Sequence, residues 1–144
     1  MSLENSLADP EKQATWFKHV REAHQSETAE DYVELIADLI EATGEARIVD
    51  LSLRFGVSQA TVNKIISRLK KEGLVIAQPY RSLFLTAEGE ALAQACKERH
   101  NIVVTFLKAL GVSEKTAEMD AEGVEHHVSQ ETLKAFQKFI EQSK

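Results

Sequence analysis

Residues 48–85 carry the pattern that most limits how this chain can fold. An apolar segment of about two helical turns, residues 48–55, ends at a Gly-Val turn, and Ser58 follows where a helix N-cap is expected. A second segment with helical spacing of its apolar residues is expected to end at Gly73. Two helices joined by so short a turn are typical of a helix-turn-helix. The positions expected to face the core of the second helix are Val62, Ile65, Ile66 and Leu69.

The residues after this helix pair favour strands. Residues 74–77 and 83–85 are short β-prone runs on either side of a turn that contains Pro79. A β-hairpin directly after a helix-turn-helix predicts a winged helix. We therefore expect a mostly α fold, with an N-terminal winged helix-turn-helix, a two-stranded β wing and an α-helical domain after it.

Capping residues predict how the remaining chain is divided. Thr28 is predicted to cap a helix over residues 29–42, and Thr86, Ser113 and Ser129 are predicted to begin three more, the middle one running through His127. We expect a partly helical extension over residues 1–28, a winged-helix domain over 29–90 and a helical domain over 91–144. In the extension, His19 and His24 are interpreted as solvated side chains.

The charge of the chain is unevenly distributed. The formal net charge is −6, which by itself disfavours a protein that coats nucleic acid. From Gly56 to Arg81, however, five basic residues stand against one acid, a local net charge of +4. Short polar residues begin the second helix of the pair, and they suit contacts with bases or phosphates. The predicted DNA-binding residues are Ser58, Gln59, Thr61, Asn63, Lys64, Arg68, Lys71, Tyr80 and Arg81.

Cysteine and hydropathy patterns exclude several protein classes. The single cysteine, Cys96, cannot form a disulfide framework within one chain, and it is interpreted as a small buried core residue. No apolar run approaches the length of a membrane span, and the N-terminus lacks the pattern of a secretory signal. We expect a cytoplasmic protein that has neither a membrane nor a small-molecule substrate as its partner.

Carboxylates and histidines recur at spacings that suit a metal ion. Asp31 and Glu34 share one helical face, and Glu122, Glu125 and His126 share another at i, i+3 and i+4. Oxygen ligands with a minority of imidazole suit Mn²⁺, Mg²⁺-like ions or Fe²⁺. A solvated acidic helix face remains the alternative. The catalytic metal motifs H-E-x-x-H and H-x-x-E-H are absent, so we do not expect an enzyme.

Five segments of the chain together resemble the manganese transport regulators of the diphtheria-toxin-repressor family. They are Asp31-Tyr-Val-Glu34, the Gly-Val-Ser-Gln-Ala-Thr-Val-Asn-Lys run at 56–64, Phe84-Leu-Thr-Ala-Glu-Gly89, Glu98-Arg-His100 and Asp120-Ala-Glu-Gly-Val-Glu-His-His127. The resemblance covers the chain from about residue 29 to the C-terminus. It implies a dimeric winged-helix repressor that binds Mn²⁺, with one or two ions per subunit, and then binds operator DNA near manganese-uptake genes.

The resemblance also implies that the α-helical domain over residues 91–144 is the metal-binding and dimerisation domain, and it implies a ligand set. The metal ligands of the family fall on Asp31, Glu34, His100, Glu122, Glu125 and His126. Iron-responsive relatives have a Met and a Cys where this chain has Asp31 and Glu122, so the oxygen ligands favour manganese. The expected homodimer seam includes Ile102, Val103, Phe106, Leu107, Leu110, Phe136 and Ile140.

The expected function is that of a Mn²⁺-responsive repressor of manganese-uptake genes, in which bound metal locks the dimer in a DNA-competent arrangement. One alternative is a winged-helix regulator that responds to iron or to another ligand. Another is a metal-dependent hydrolase, although the sequence offers no motif for its general base.

Overall fold

The computed structural model describes residues 7–77 and 82–144, which form six helices and one two-stranded antiparallel sheet. None of these helices is long and apolar enough to cross a membrane. The elements in chain order are α1 (Pro10–Thr43), α2 (Ile48–Phe55), α3 (Gln59–Lys71), β1 (Val75–Ala77), β2 (Leu83–Leu85), α4 (Ala87–Ala109), α5 (Glu114–Val124) and α6 (Gln130–Gln142).

The helix-turn-helix and its wing are as predicted. Gly56 ends α2 in the left-handed region at φ 69°, and the Ser58 side chain caps α3 by accepting a hydrogen bond from the Thr61 backbone N–H at 3.1 Å. Strands β1 and β2 pair with Val75 opposite Leu85. Residues 78–81, which include the predicted DNA-binding residues Tyr80 and Arg81, lie outside the described residues.

The predicted helix boundary at Thr28 is wrong, because α1 runs unbroken for 34 residues. Its sequence after Pro10 contains neither proline nor glycine, and one threonine costs a helix interior only a few tenths of a kcal/mol. The C-terminal half buries Val33 and Ile36 in the core, and the helix ends at Gly44 with φ 88°. The N-terminal half is exposed, including Trp16.

The described residues form two hydrophobic cores. The first joins the C-terminal half of α1 to α2, α3 and the strands, and the second joins α4 to α5 and α6. Val103 is fully buried in the second core, so its assignment to the dimer seam is wrong: the chain's own helices already cover it. Phe106 stacks on Phe136 within the chain, with ring centroids 3.9 Å apart, whereas Leu110 remains exposed.

Helix α5 is shorter than predicted, since it ends at Val124 and not at His127. The Glu125 N–H still bonds to the Ala121 carbonyl at 3.0 Å, but the His126 N–H reaches back only to Gly123, at 3.3 Å. This tighter last turn carries the side chains of Glu125 and His126 into the junction with α1 and α4, where both are buried.

Gly89 is expected to be the glycine most sensitive to substitution. A Cβ there would overlap the Leu74 carbonyl oxygen and lie 3.3 Å from the Leu85 Cβ, between α4 and the wing. We expect Gly89→Ala to lower the free energy of unfolding by about 2 kcal/mol, measured by urea denaturation. The matched control is Gly123→Ala, which meets nothing within 4 Å and is expected to keep or slightly raise stability. Equal stabilities of the two variants would contradict this packing.

Candidate functional site

A fully buried carboxylate, that of Glu125, lies at the junction of α1, α4 and the end of α5. Its Oε2 is 2.9 Å from His100 Nδ1, and its Oε1 is 3.4 Å from His126 Nε2. The same His126 nitrogen lies 2.9 Å from Asp31 Oδ1. Four of the six predicted ligand residues therefore meet at this point, from three different parts of the chain.

The other two predicted ligand residues lie at the same junction. Glu122 Oε1 is 3.7 Å from His100 Nδ1, and ligand atoms of His100, Glu122 and Glu125 all lie within 4.8 Å of one another. Glu34 lines a cleft of about 370 Å³ together with Asp31 and Glu122. We call the junction formed by these six residues the acidic joint.

The acidic joint shifts the pKa values of its own residues. Burial, followed by the charges of Glu125 and Glu122, raises the pKa of Glu34 to about 7. The hydrogen bond that His100 donates to Glu125 raises the pKa of His100 to about 9. Burial alone would lower the pKa of His126, but the carboxylates of Asp31 and Glu30 outweigh it and raise that pKa to about 10. The joint therefore holds more negative charge than its own two imidazoles can neutralise without extra protons.

Two buried atoms in the acidic joint lack a hydrogen-bond partner among the described residues: Glu125 Oε1 and His126 Nε2. The approach of Asp31 to His126 is a short ionic contact, but it does not have the direction of a hydrogen bond. A buried polar atom left unpaired costs about 1–3 kcal/mol, so such atoms mark a missing partner. Because both are metal-ligating atoms that face the same junction, a divalent cation fits there.

The surrounding donor set indicates what kind of cation fits. Four carboxylates and two imidazoles form a hard site, which suits Mn²⁺ or Fe²⁺ better than ions that prefer thiolate. Cys96 does not change this, since it is buried as predicted and burial raises the pKa of its thiol to about 12.

Glu30 also contacts the acidic joint, although it was not among the predicted ligand residues. Its Oε2 lies 2.9 Å from His126 Nδ1 and accepts a hydrogen bond from Arg99 Nη1 at 3.2 Å. Burial opposes ionisation of Glu30, but His126 and Arg99 more than compensate and lower its pKa. Because Glu30 holds Nδ1, the other imidazole nitrogen is directed into the acidic joint. In the sequence, Glu30 is distinguished only by its place one turn before the apolar stripe of α1, next to Ala29, which the structure shows to be buried.

The second candidate surface is the exposed face of α3. All the predicted DNA-binding residues on α3 and its cap are exposed, while Val62, Ile66 and Leu69 face the core. Some of the exposed groups already have local partners. The Ser58 hydroxyl donates to Thr61 Oγ1 at 3.0 Å, and Arg68 Nε lies 3.5 Å from Glu72. The polar and basic side chains on this face are Gln59, Asn63, Lys64, Arg68 and Lys71.

Comparisons with known proteins match two family domains to the chain. Residues 24–83 match the N-terminal DNA-binding domain of iron dependent repressors, and residues 86–144 match their metal binding and dimerisation domain. The chain is 56% identical to the transcriptional regulator MntR of Escherichia coli O157:H7, over 94% of this chain and 87% of the relative. The chain belongs to the iron-dependent repressor family.

Further members of the iron-dependent repressor family are similar to it over shorter spans. The HTH-type transcriptional regulator MntR of Geobacillus kaustophilus is 39% identical over 69% of this chain and 71% of the relative. A solved manganese-dependent transcriptional repressor in complex with manganese is 30% identical, with a TM-score of 0.72 over 78% of this chain. The structure of the manganese regulator SloR is 26% identical, with a TM-score of 0.70 over 78% of this chain. The chain spans about half the length of these two solved chains, 52% and 53%.

Membership of the iron-dependent repressor family bears on the hydrolase alternative. Its members are transcriptional repressors and not enzymes, so a hydrolase is not supported. The acidic joint also spans both family domains. Asp31 and Glu34 lie in the span of the DNA-binding domain, whereas the other four residues lie in the span of the metal-binding and dimerisation domain.

Proposed function

We propose that this chain is a cytoplasmic, Mn²⁺-responsive repressor that binds operator DNA of manganese-uptake genes as a homodimer. The observation that carries the proposal is the acidic joint, where two buried atoms that have no hydrogen-bond partner among the described residues face carboxylates from both halves of the chain. Relatives that are named MntR support manganese as the effector. We further propose residues 29–90 as the DNA-binding domain and residues 91–144 as the metal-binding and dimerisation domain.

The mechanism follows from the position of α1. Asp31 and Glu34 would hold the metal from α1, and His100, Glu122, Glu125 and His126 would hold it from the C-terminal half. When bound, the ion would supply positive charge that offsets the repulsion between the four neighbouring carboxylates. Because α1 also packs in one core with α2 and α3, fixing α1 fixes the orientation of α3, the recognition helix of the helix-turn-helix.

Only a modest coupling between metal and DNA is required. Metal that binds the DNA-competent arrangement tenfold better than other arrangements contributes about 1.4 kcal/mol of coupling. In a dimer, the two copies of α3 must enter successive major grooves, about 34 Å apart. The exposed face of α3 would contact the DNA, with Lys64 and Lys71 on phosphates and Gln59 and Asn63 close to base edges.

The proposal is tested by titrating operator-type DNA with protein in the presence of Mn²⁺ or of EDTA. We expect tight binding only with Mn²⁺, and we expect Glu122→Ala to weaken the response to metal. Tight binding in EDTA would overturn the mechanism. Parallel titrations with Fe²⁺ test the iron-responsive alternative, since raw affinity for Fe²⁺ exceeds that for Mn²⁺ at most sites and selectivity must come from ligand geometry.

Metal affinity is expected to rise with pH. The pKa values of about 9 for His100 and about 10 for His126 mean that both imidazoles carry a proton near neutral pH without metal. A coordinating nitrogen must lose that proton, so affinity for Mn²⁺ should rise about tenfold per pH unit for each proton released, up to these pKa values. Calorimetry in buffers of different ionisation enthalpy measures the number released. An affinity that does not change between about pH 7 and pH 8.5 would contradict this arrangement.

Glu30 is expected to act on the metal through His126. Glu30→Gln removes the charge that holds His126 Nδ1, so affinity for Mn²⁺ should fall by about 10- to 100-fold. The measurement is Mn²⁺ titration of the folded variant by calorimetry. The matched control is Glu41→Gln, an exposed acid on the same helix whose only described partner is Lys97 at 3.9 Å. Equal losses in the two variants would indicate a general charge effect.

A further inference from the structure

Three metal-ligating side chains lie together outside the six residues of the acidic joint. His24 Nδ1 is 3.0 Å from Glu27 Oε2, and His127 Nε2 is 3.7 Å from the same oxygen. The ligand atoms of the three residues all lie within 4.8 Å of one another. We call this group the histidine cluster.

The fold, and not the local sequence, brings the cluster together. His24 and Glu27 lie one turn apart on α1, and His127 lies in the turn after α5, about a hundred positions further along the chain. This arrangement depends on α1 being one continuous helix. A separate helix that began at Thr28 would not hold His24 one turn from Glu27, although His24 itself remains largely solvated, as predicted.

The environment of the cluster suits an ion with open coordination positions. The Glu27 side chain is only 21% exposed and that of His127 34%, so the carboxylate is partly desolvated, while His24 remains 78% exposed. A cavity lined by Val20, Arg21 and Gln25 as well as by the two histidines adjoins it. Water in that space could complete the coordination of an ion held by three protein ligands.

We propose that His24, Glu27 and His127 form a second cation site, distinct from the acidic joint, that prefers a nitrogen-seeking transition ion such as Zn²⁺ to Mn²⁺. Two imidazoles and one carboxylate are a ligand set that Zn²⁺ uses with water in the fourth position. Mn²⁺ gains least from imidazole in the divalent series, so the balance of nitrogen and oxygen separates the two sites.

Occupancy of the second site would connect the exposed N-terminal half of α1 to the segment after α5. Glu27 also lies within ligand distance of Asp31 and His126, so the two sites are neighbours along one face of α1. The site is nevertheless separable, because His24 and His127 belong to it alone.

The test is Zn²⁺ titration of the full-length chain by calorimetry, without DNA, comparing wild type with His24→Ala/His127→Ala. We expect the double variant to lose one Zn²⁺ per chain or to bind it at least about 10- to 100-fold more weakly, since even an outer-shell partner has that effect. The matched control is His19→Ala, a histidine on the same helix outside the cluster, which should bind as wild type does. Glu125→Ala should disturb Mn²⁺ binding and leave this Zn²⁺ equivalent in place.

A second measurement does not depend on variants. In the wild-type chain, NMR of the histidine ring protons during Zn²⁺ addition should show His24 and His127 shifting while His19 does not. If the double variant binds as many Zn²⁺ ions as wild type at unchanged affinity, or if Zn²⁺ shifts only His100 and His126, the proposal is overturned.

Discussion

Glu125→Ala is expected to abolish the response of DNA binding to Mn²⁺. Glu125 is fully buried and approaches both imidazoles of the acidic joint, so its loss removes a ligand and the group that orients His100. We expect affinity for Mn²⁺ to fall by about 100-fold or more, equivalent to about 2.7 kcal/mol. Calorimetry measures the metal affinity, and fluorescence anisotropy with labelled operator DNA measures the response.

The Glu125→Ala variant is also expected to change the pKa of His100. Because the hydrogen bond to Glu125 is the largest cause of the raised pKa of His100, that pKa should fall from about 9 towards the ordinary histidine value of 6.5. NMR titration of the metal-free chain would show the change. The control is Glu114→Ala, an exposed acid of α5 that pairs with Lys108 at 3.8 Å, which should keep the wild-type response. A folded Glu125→Ala protein with an unaltered Mn²⁺ response would exclude the acidic joint as the metal centre.

The second large effect concerns the exposed face of α3. The double variant Lys64→Ala/Lys71→Ala removes two cationic side chains that we propose contact phosphates. DNA affinity should fall by about tenfold or more near physiological salt, and the slope of log affinity against log salt should decrease by about 4, because a homodimer loses two phosphate contacts from each subunit. Anisotropy titrations at several salt concentrations, with saturating Mn²⁺, measure both quantities.

A charge-matched control separates contact from bulk electrostatics. Lys134→Ala/Lys138→Ala makes the same change in net charge on α6, far along the chain from the recognition helix. It should leave the salt slope close to that of wild type. Mn²⁺ affinity should be unchanged in both double variants, since neither touches the acidic joint. If both double variants weakened DNA binding equally, the exposed face of α3 would not be the interface.

The parts of the fold that sequence alone predicted are those that neighbouring residues decide. Ser58, Thr86, Ser113 and Ser129 each accept a hydrogen bond from the backbone N–H three positions on, as predicted. A cap is a contact within one turn of chain, so the residue type and its distance from the apolar stripe are sufficient.

The features that the sequence did not predict depend on contacts between residues far apart in the chain or on small differences in free energy. Thr28 resembles a helix cap locally, but continuing the helix through it costs little and retains the hydrogen bonds on both sides. Glu30 contacts His126 and Arg99, which lie 96 and 69 positions further along the chain, so the neighbouring sequence does not predict these contacts. The six ligand positions were implied by resemblance to a family, whereas their spacing alone left a solvated acidic face open.

In the proposed mechanism, the unbroken α1 rotates as one rigid helix about the acidic joint. At 1.5 Å per residue, Asp31 lies about 18 Å from the Thr43 end of the helix and about 32 Å from the Pro10 end. A rotation of about 5° at Asp31 would therefore displace the Thr43 end, which leads into α2, by about 1.6 Å. Displacements of about 1–2 Å are the size by which helices shift in allosteric transitions. A rigid α1 would thus convert a sub-ångström change in the spacing of the metal ligands into a movement large enough to change the position of α3.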